Sequence, residues 1–433
     1  MSDPHDIAAR PALPARRDAR LTFALAATVG SIAVYCLALC ILAPEPLGDE
    51  ATHLHVIRSL LRGDWAPAAR LPMLPTYHLV VAPLVYLGGE SLAAARVANA
   101  IIATIMLGLA ALCVRRLQPD CPAAALLHVA WCPLVFPLTA INHTDALSLC
   151  FLIGVLAAHV RGLRLAAGAT LLVATLVRQT NAVWALFFIA WDVLEAAHRA
   201  PAGERTPRGI ASHGARACRL SWPYFVAPAM LLSAVLVFGR YSVGGDALNG
   251  PAFNVAQFYL LAIHVTAWGL PLWLPRLWEA IRTRWSPALS RPWRAALVVA
   301  FAGLMVVGFR NPHAWNREFW DLRNAPLLLM QTSLGARIAL AVVLAAVLPV
   351  IVRFYAEQPR RGVLLAAWIA ALVGLAPQFL AEPRYYAFAL VLVNLLTVHG
   401  ACDSRRLAAW YAASSIALAC VACLTGRQYG GVW

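Results

Sequence analysis

The feature that most constrains this chain is a succession of apolar runs, most of them close to the length that crosses a lipid bilayer. Hydrophobic residues make up 61% of the 433 residues and charged residues only 13%, which is far from the balance of a soluble protein. Because a spanning helix needs roughly 20 apolar residues, the sequence predicts an all-α polytopic membrane protein with about 13 transmembrane helices. The runs cover residues 21–43, 92–114, 121–139, 145–160, 164–178, 181–196, 222–239, 254–275, 294–309, 334–352, 362–380, 385–401 and 407–424.

The basic residues set the expected topology. All 35 are arginines, and they are scattered between the apolar runs instead of being gathered on one domain. The net charge of +15 therefore fits the cytoplasmic loops of a membrane protein better than a nucleic-acid surface, and we expect no nucleic-acid partner. The pattern predicts an inner-membrane, multi-pass protein with a cytoplasmic N-terminus. Its acidic and aromatic motifs then fall on the extracytoplasmic face.

This topology predicts four parts and two helices at the membrane surface. The stretch GDEATHLHVIRSLLRGDW (48–65) places apolar residues at helical spacing, and TYHLVVAPLVYLGG (76–89) is too short to span and contains Pro83. We expect both to lie at the surface as juxtamembrane helices. The parts are a cytoplasmic tail (1–20), a core module (21–196) with a catalytic first external loop (44–91), a basic cytoplasmic loop (197–221) and a C-terminal transmembrane module (222–433).

An acidic pair, Asp49 and Glu50, opens the first of these surface helices. The two carboxylates are expected either to cap the positive end of the helix or to supply a general base beside the membrane. His53 and His55 lie nearby, but residues two apart point to different faces of a helix, so we expect no metal site here.

A polar knot, Arg178-Gln179-Thr180-Asn181, interrupts the apolar stretch 172–191. An arginine at the centre of a bilayer costs roughly 2.5 to 3.5 kcal/mol, so the knot is expected at the outer rim, between two short spans. There Arg178, and likewise Arg384, either extends toward lipid headgroups or binds a phosphate.

Two further acids lie on the same face. Asp145 follows Asn142 and His143 at the start of a span, where it either caps the helix or contributes to a pocket for sugar hydroxyls. Asp246 lies in a glycine-rich loop and is a weaker candidate, because such residues usually form turns.

Taken in order, six short motifs resemble the eukaryotic dolichyl-phosphate-glucose α-1,2-glucosyltransferases. The most specific is Arg-Gln-Thr-Asn followed by two apolar residues and Trp184. The departures are Ala247, where the family has a basic residue, and a weak match at 321–324. The six motifs are Gly48-Asp49-Glu50-Ala51-Thr52-His53, Leu74-Pro75-Thr76-Tyr77, His143-Thr144-Asp145, Arg178 to Trp184, Gly245-Asp246 and Pro383-Arg384-Tyr385-Tyr386.

The resemblance implies a GT-C glycosyltransferase fold and an inverting hexosyltransferase, with glucose as the expected sugar. The donor would be a polyprenyl phosphate hexose and the acceptor a glycan or glycolipid hydroxyl, with membrane lipids as the other partner and no cofactor. Asp49 and Glu50 are the candidate catalytic residues, and Arg178 and Arg384 the candidate donor phosphate ligands. The candidate substrate-binding residues are His53, Tyr77, His143, Asp145, Gln179, Asn181, Trp184, Asp246 and Tyr385.

Two alternatives remain open at this stage. A transporter or flippase of lipid-linked glycans also places polar groups within a helical bundle, although no inverted repeat is evident. A GT-C enzyme that moves mannose, a pentose or an aminosugar is the second alternative. The resemblance favours the glucosyltransferase over both.

Overall fold

A computed structural model describes residues 15–201, 204, 206–239, 252–283, 292–311, 325–378 and 381–425. The regular secondary structure of these residues is helical throughout, with eighteen α-helices and a few short 3₁₀ helices. The first nine α-helices are α1 (Ala15–Leu42), α2 (Glu50–Leu61), α3 (Thr76–Leu87), α4 (Leu92–Leu117), α5 (Pro122–Ala130), α6 (Thr144–His159), α7 (Arg164–Val177), α8 (Trp184–Arg199) and α9 (Pro207–Leu220). The others are α10 (Trp222–Phe238), α11 (Ala256–Trp268), α12 (Leu270–Arg282), α13 (Pro292–Gly308), α14 (Ala325–Thr332), α15 (Leu334–Ala356), α16 (Arg361–Leu375), α17 (Ala387–Leu396) and α18 (Ala401–Thr425).

The predicted all-α polytopic membrane fold is confirmed. Within the described ranges, five helices are long and apolar enough to cross a membrane, and two bent helix pairs raise that number to seven. Six shorter apolar helices have 10–17 residues. The expected count of about thirteen came from treating several such short runs as spans of roughly 20 residues.

Two predicted spans are wrong as single helices. The run 121–139 is the short helix α5 followed by a 3₁₀ helix at Phe136–Thr139, because Pro133 and Pro137 have no N–H to continue an α-helix. The run 254–275 is divided at Gly269 into α11 and α12, which are bent by 85° from each other.

The segment between α1 and α4, which was predicted to be the first external loop, contains a helix at each of the two stretches expected to form juxtamembrane helices. The stretch 48–65 forms α2 and the stretch 76–89 forms α3, and these helices pack against each other and against α4. Ser91 begins α4 by accepting a hydrogen bond on its side chain from the backbone N–H of Ala94 at 3.1 Å. The loop is therefore a helical layer docked on the bundle.

One hydrophobic core runs through the bundle and includes residues from nearly every helix. Within the described residues, α6 packs extensively against α4 and α7, and α7 packs against α10. Gly168 of α7 lies so close to Pro223 of α10 that a Cβ at that glycine would be 2.5 Å from the proline carbonyl oxygen.

Four segments meet at one end of this core. They are the start of α2, the segment 141–145 that leads into α6, the polar knot at 178–181 and the 3₁₀ helix Pro383–Tyr386 that leads into α17. The polar knot forms the 3₁₀ helix Gln179–Val183, so the stretch 172–191 is not one continuous helix. Most of the residues proposed from the sequence lie in these segments.

Candidate active site

Asp49 lies at the first turn of α2 but does not cap it, because its side chain makes no hydrogen bond to the helix N-terminus. The carboxylate faces the other segments of the site. Its Oδ2 lies 3.3 Å from Nε2 of His143 and 3.4 Å from both Nη atoms of Arg384. The Asp49 side chain is 36% exposed, so a ligand can reach it from solvent.

His143 is buried between carboxylates and an arginine. Its Nδ1 lies 2.5 Å from Oδ2 of Asp145, and Arg384 donates to its Nε2. We infer that the imidazole is neutral and carries its proton on Nδ1 toward Asp145. Burial, followed by the charge of Arg384, lowers the pKa of His143 from 6.5 to about 4, which agrees with a neutral ring.

Arg384 connects the three acids of the site. It forms a close ion pair with Glu382 and lies 3.7 Å from Asp145, in addition to its contact with Asp49. Burial opposes the charge of its guanidinium, but Glu382 and then Asp49 outweigh this and raise the pKa of Arg384. The arginine therefore stays charged while largely buried.

Arg178 is the second cation of the site. It follows the last residue of α7 and forms a close ion pair with Asp145. Burial lowers the pKa of Arg178 below its usual value. The ring of Tyr385 faces both cations, with its centroid 5.2 Å from Cζ of Arg178 and 5.9 Å from Cζ of Arg384. Cation–π attraction therefore helps to hold both guanidinium groups.

A pocket opens beside these two arginines. Its lining combines Asp145, Arg178 and Arg384 with the polar side chains of Ser148, Thr180, Asn181, Gln378 and Tyr385 and with seven apolar side chains. A pocket that offers both cations and apolar side chains suits an amphiphile with an anionic head. The wall residues include Leu149, Leu152, Val183, Trp184, Ala371, Leu375 and Phe388.

Three of the proposed substrate-binding residues make contacts within the protein. Asn181 lines the pocket, but its Nδ2 donates to Oγ of Ser148 and to the carbonyl of Ala174, both at 2.8 Å. Gln179 donates to the carbonyl of Pro72 at 3.2 Å and so connects the polar knot to the segment between α1 and α4. The ring of Trp184 packs edge to face against that of Phe388, with the two ring centroids 4.6 Å apart.

His53 and Tyr77 lie on the buried side of the site, and their side chains are almost completely inaccessible to solvent. His53 shares a hydrogen bond of 2.9 Å with His78, and its ring centroid lies 4.9 Å from that of His143. Burial, then His143 and His78, lowers the pKa of His53 well below 6.5. The hydroxyl of Tyr77 lies 2.5 Å from Oδ1 of Asn142. Both residues therefore contact the segment 141–145 from the protein interior.

Glu50 occupies a different environment from its neighbour Asp49. It is fully buried, and its Oε2 lies 2.6 Å from Nη2 of Arg96 in α4. Nothing in the sequence separates the two acids, and Arg96 was not among the proposed site residues. The signal that could have identified Arg96 is its position inside an otherwise apolar span, because a charge there is costly without a partner.

Asp246 lies outside the described residues, as does the weakly matching stretch 321–324. In the ranges that the structure covers, no group of three or more His, Cys, Asp or Glu side chains is arranged to hold a metal ion.

The helical bundle and the sequence family together make this chain a membrane glycosyltransferase. It belongs to the DIE2/ALG10 family, whose sequence profile matches residues 43–395. That range contains Asp49, Arg178 and Arg384, and the resemblance drawn from the sequence motifs is confirmed.

Two crystal structures of ArnT from Cupriavidus metallidurans are similar to this chain. The one bound to undecaprenyl phosphate is 18% identical, with a TM-score of 0.43, and the match covers 94% of this chain and 77% of that one. The apo structure is also 18% identical, with a TM-score of 0.41 and coverage of 92% and 76%. No curated protein matches the sequence significantly.

Proposed function

We propose that the protein transfers a hexose, with glucose as the expected sugar, from a polyprenyl phosphate carrier to a hydroxyl of a glycan or glycolipid. The observation that carries this proposal is the pocket beside Arg178 and Arg384, which lies next to the half-exposed carboxylate of Asp49. The distribution of arginines supports a site on the extracytoplasmic face of the inner membrane.

The donor fits the pocket by its two parts. Guanidinium groups bind phosphate oxygens in pairs, so Arg178 and Arg384 would hold the single phosphate of the carrier. The first isoprene units would lie against apolar wall residues such as Leu152 and Phe388. A soluble sugar nucleotide would leave this apolar wall uncovered.

The transfer would proceed as a single displacement with inversion. Asp49 takes the proton of the acceptor hydroxyl while that oxygen forms a bond to the anomeric carbon. The bond from this carbon to the phosphate oxygen breaks, and its electron pair leaves with the phosphate. Negative charge then grows on the phosphate, where Arg178 and Arg384 stabilise the transition state more than the ground state.

Glu50 takes a structural role in this proposal instead of the catalytic one expected from the sequence. Its carboxylate is fully buried against Arg96, while that of Asp49 is exposed to an acceptor. Asp145 would hold Arg178 and His143 in place, and Tyr385 would face the sugar or the donor phosphate. Asp246 stays a proposed sugar ligand from the resemblance alone.

A transfer assay tests the proposal. Membranes containing the protein are supplied with synthetic polyprenyl phosphates that carry glucose, mannose, a pentose or an aminosugar, and the anomeric configuration of the product is determined. Asp49→Asn is compared with Asp64→Asn, an exposed acid of the same loop whose side chain only accepts a hydrogen bond from the N–H of Ala66.

We expect glucose transfer with inversion, a loss of about 10²- to 10⁴-fold in Asp49→Asn and normal transfer in Asp64→Asn. Full activity of a folded Asp49→Asn protein would reject the assigned base. Transfer of none of these sugars by the wild type would reject the donor class.

A further inference from the structure

Arg96 makes an unusually complete set of hydrogen bonds for a side chain that is only 1% exposed. Its Nη1 donates to the carbonyls of Leu39 at 2.8 Å and Ala43 at 2.6 Å. Its Nη2 donates to the carbonyl of Glu45 at 3.0 Å and to Glu50, and its Nε donates to the same carboxylate at 3.1 Å. Arg96 thus ties the end of α1 to the start of α2.

The carboxylate of Glu50 extends this connection to the segment before α6. Its Oε1 accepts a hydrogen bond from the backbone N–H of Asn142 at 2.7 Å, and its Oε2 accepts one from the N–H of Leu47 at 2.9 Å. The side chain of Asn142 in turn donates to the carbonyl of Glu50 at 3.3 Å and pairs with the hydroxyl of Tyr77. Three distant parts of the chain are joined at one buried carboxylate.

The side chains of Asp49 and His143, which are the sequence neighbours of Glu50 and Asn142, contact each other. Glu50 follows Asp49 directly, and Asn142 precedes His143 directly. The hydrogen bond that holds Glu50 to Asn142 therefore also restrains the distance between Asp49 and His143. We propose that Arg96 and Glu50 are positioning residues, which hold Asp49 in register with His143 and Arg384. This inference rests on the proposed role of Asp49 as the base.

Two physical arguments favour positioning over stability alone. Replacing a buried ion pair by apolar residues of similar size is often neutral or stabilising, so stability is a weak reason to bury Arg96 and Glu50. A displacement of about 1 Å at a reacting group, in contrast, lowers the rate by roughly 100-fold. The fork of Arg96 is suited to this task because its donors have a fixed geometry.

The chain provides a matched control at another place in the bundle. Arg164 of α7 and Asp192 of α8 also form an ion pair, at 2.5 Å, and Asp192 is 8% exposed. Asp192 additionally accepts a hydrogen bond from Ser221 at 2.7 Å. Neither residue of this pair lines the pocket.

The test compares Glu50→Gln with Asp192→Asn, since each removes the charge of a buried, arginine-paired carboxylate without changing the size of the side chain. Thermal unfolding in detergent and the kcat and KM of sugar transfer are measured for both. We expect both variants to unfold at lower temperature. Only Glu50→Gln should lose kcat per folded molecule, by about 10- to 100-fold, with the donor KM changed less than twofold.

Equal kcat values per folded molecule in the two variants would overturn the proposal. If Glu50→Gln does not fold, Tyr77→Phe provides the second test, because it removes only the hydroxyl that holds Asn142. We then expect a smaller fall in kcat in the same direction, and an unchanged kcat would overturn the proposal. If Asp49→Asn transfers sugar at the rate of the wild type, the proposed base is rejected instead. This outcome distinguishes the failure of the proposed function from the failure of the positioning role.

Discussion

The guanidinium of Arg384 lies 3.4 Å from Oδ2 of Asp49, although 335 residues separate the two in the sequence. Asp49 belongs to the segment between α1 and α4, and Arg384 belongs to the C-terminal half of the chain. The site is therefore built between the two parts, and neither contains a complete set of charged groups.

Replacement of either pocket arginine should weaken use of the donor. We expect Arg178→Gln and Arg384→Gln each to lower kcat/KM for the donor by about 10- to 100-fold, because each removes a charged hydrogen bond to phosphate. The measurement is the rate of transfer at varied donor concentration.

Arg276→Gln is the matched control for both variants. Arg276 also pairs with a carboxylate, Asp403 at 2.5 Å, and lies over an aromatic ring, Phe354 at 4.7 Å, but it does not line the pocket. A similar loss of donor use in this control would show that the effect comes from stability instead of phosphate binding.

The aromatic ring between the two arginines gives a smaller, graded prediction. Tyr385→Phe keeps the ring and should leave the donor KM close to that of the wild type. Tyr385→Leu removes the cation–π attraction and should raise the donor KM about 3- to 10-fold. Equal KM values in the two variants would show that the ring does not organise the arginines.

The stability of the protein should depend on the protonation of His143. The pKa of this side chain is lowered from 6.5 to about 4 in the folded protein, so between these values the unfolded chain binds a proton that the folded protein excludes. The free energy of unfolding should therefore fall as pH decreases from 6.5 to 4, with a contribution of about 3 kcal/mol from this group.

The measurement is denaturant unfolding in detergent across that pH range, for the wild type and for His143→Gln. We expect a flatter dependence on pH in the variant, because His143 no longer contributes. Some dependence should remain, because the other histidines still titrate. Parallel curves for the two proteins would contradict the assignment of a neutral, buried His143.

Two glycine substitutions test the packing of the bundle. Gly168→Ala places a Cβ against Pro223, and we expect it to lower the free energy of unfolding by about 1 to 3 kcal/mol. Gly108→Ala adds a methyl group where no atom lies within 4 Å, and a glycine in a helix interior costs about 0.5 to 1 kcal/mol relative to alanine. Thermal unfolding should therefore show shifts of opposite sign for the two variants.

The sequence predicted most of the charged groups that meet at the site. Asp49, His143, Arg178 and Arg384 all lie in short polar segments next to apolar runs, and the expected topology places those segments on one face. Ends of helices on the same face of a bundle can meet, so the expected topology is compatible with the site, whereas helix packing decides which of these ends are in contact.

Side-chain direction could not be predicted in the same way. Asp49 and Glu50 are adjacent, and successive residues at the start of a helix differ by about 100° in direction. Which acid faces solvent depends on where α4 brings Arg96, and that is a matter of tertiary packing. The same holds for Asn181, whose amide is used within the protein, and for the bend at Gly269.

The pairing of Asp49 with Arg384 also sets the order in which the enzyme can become active during its synthesis. The ribosome must add 335 residues after Asp49 before it reaches Arg384, which takes roughly 20 to 70 s at 5 to 20 residues per second. Throughout that interval the segment between α1 and α4 is already made, but the carboxylate of Asp49 has no contact with Arg384. The complete set of charged groups at the site can therefore form only late in synthesis, after most of the chain has been made.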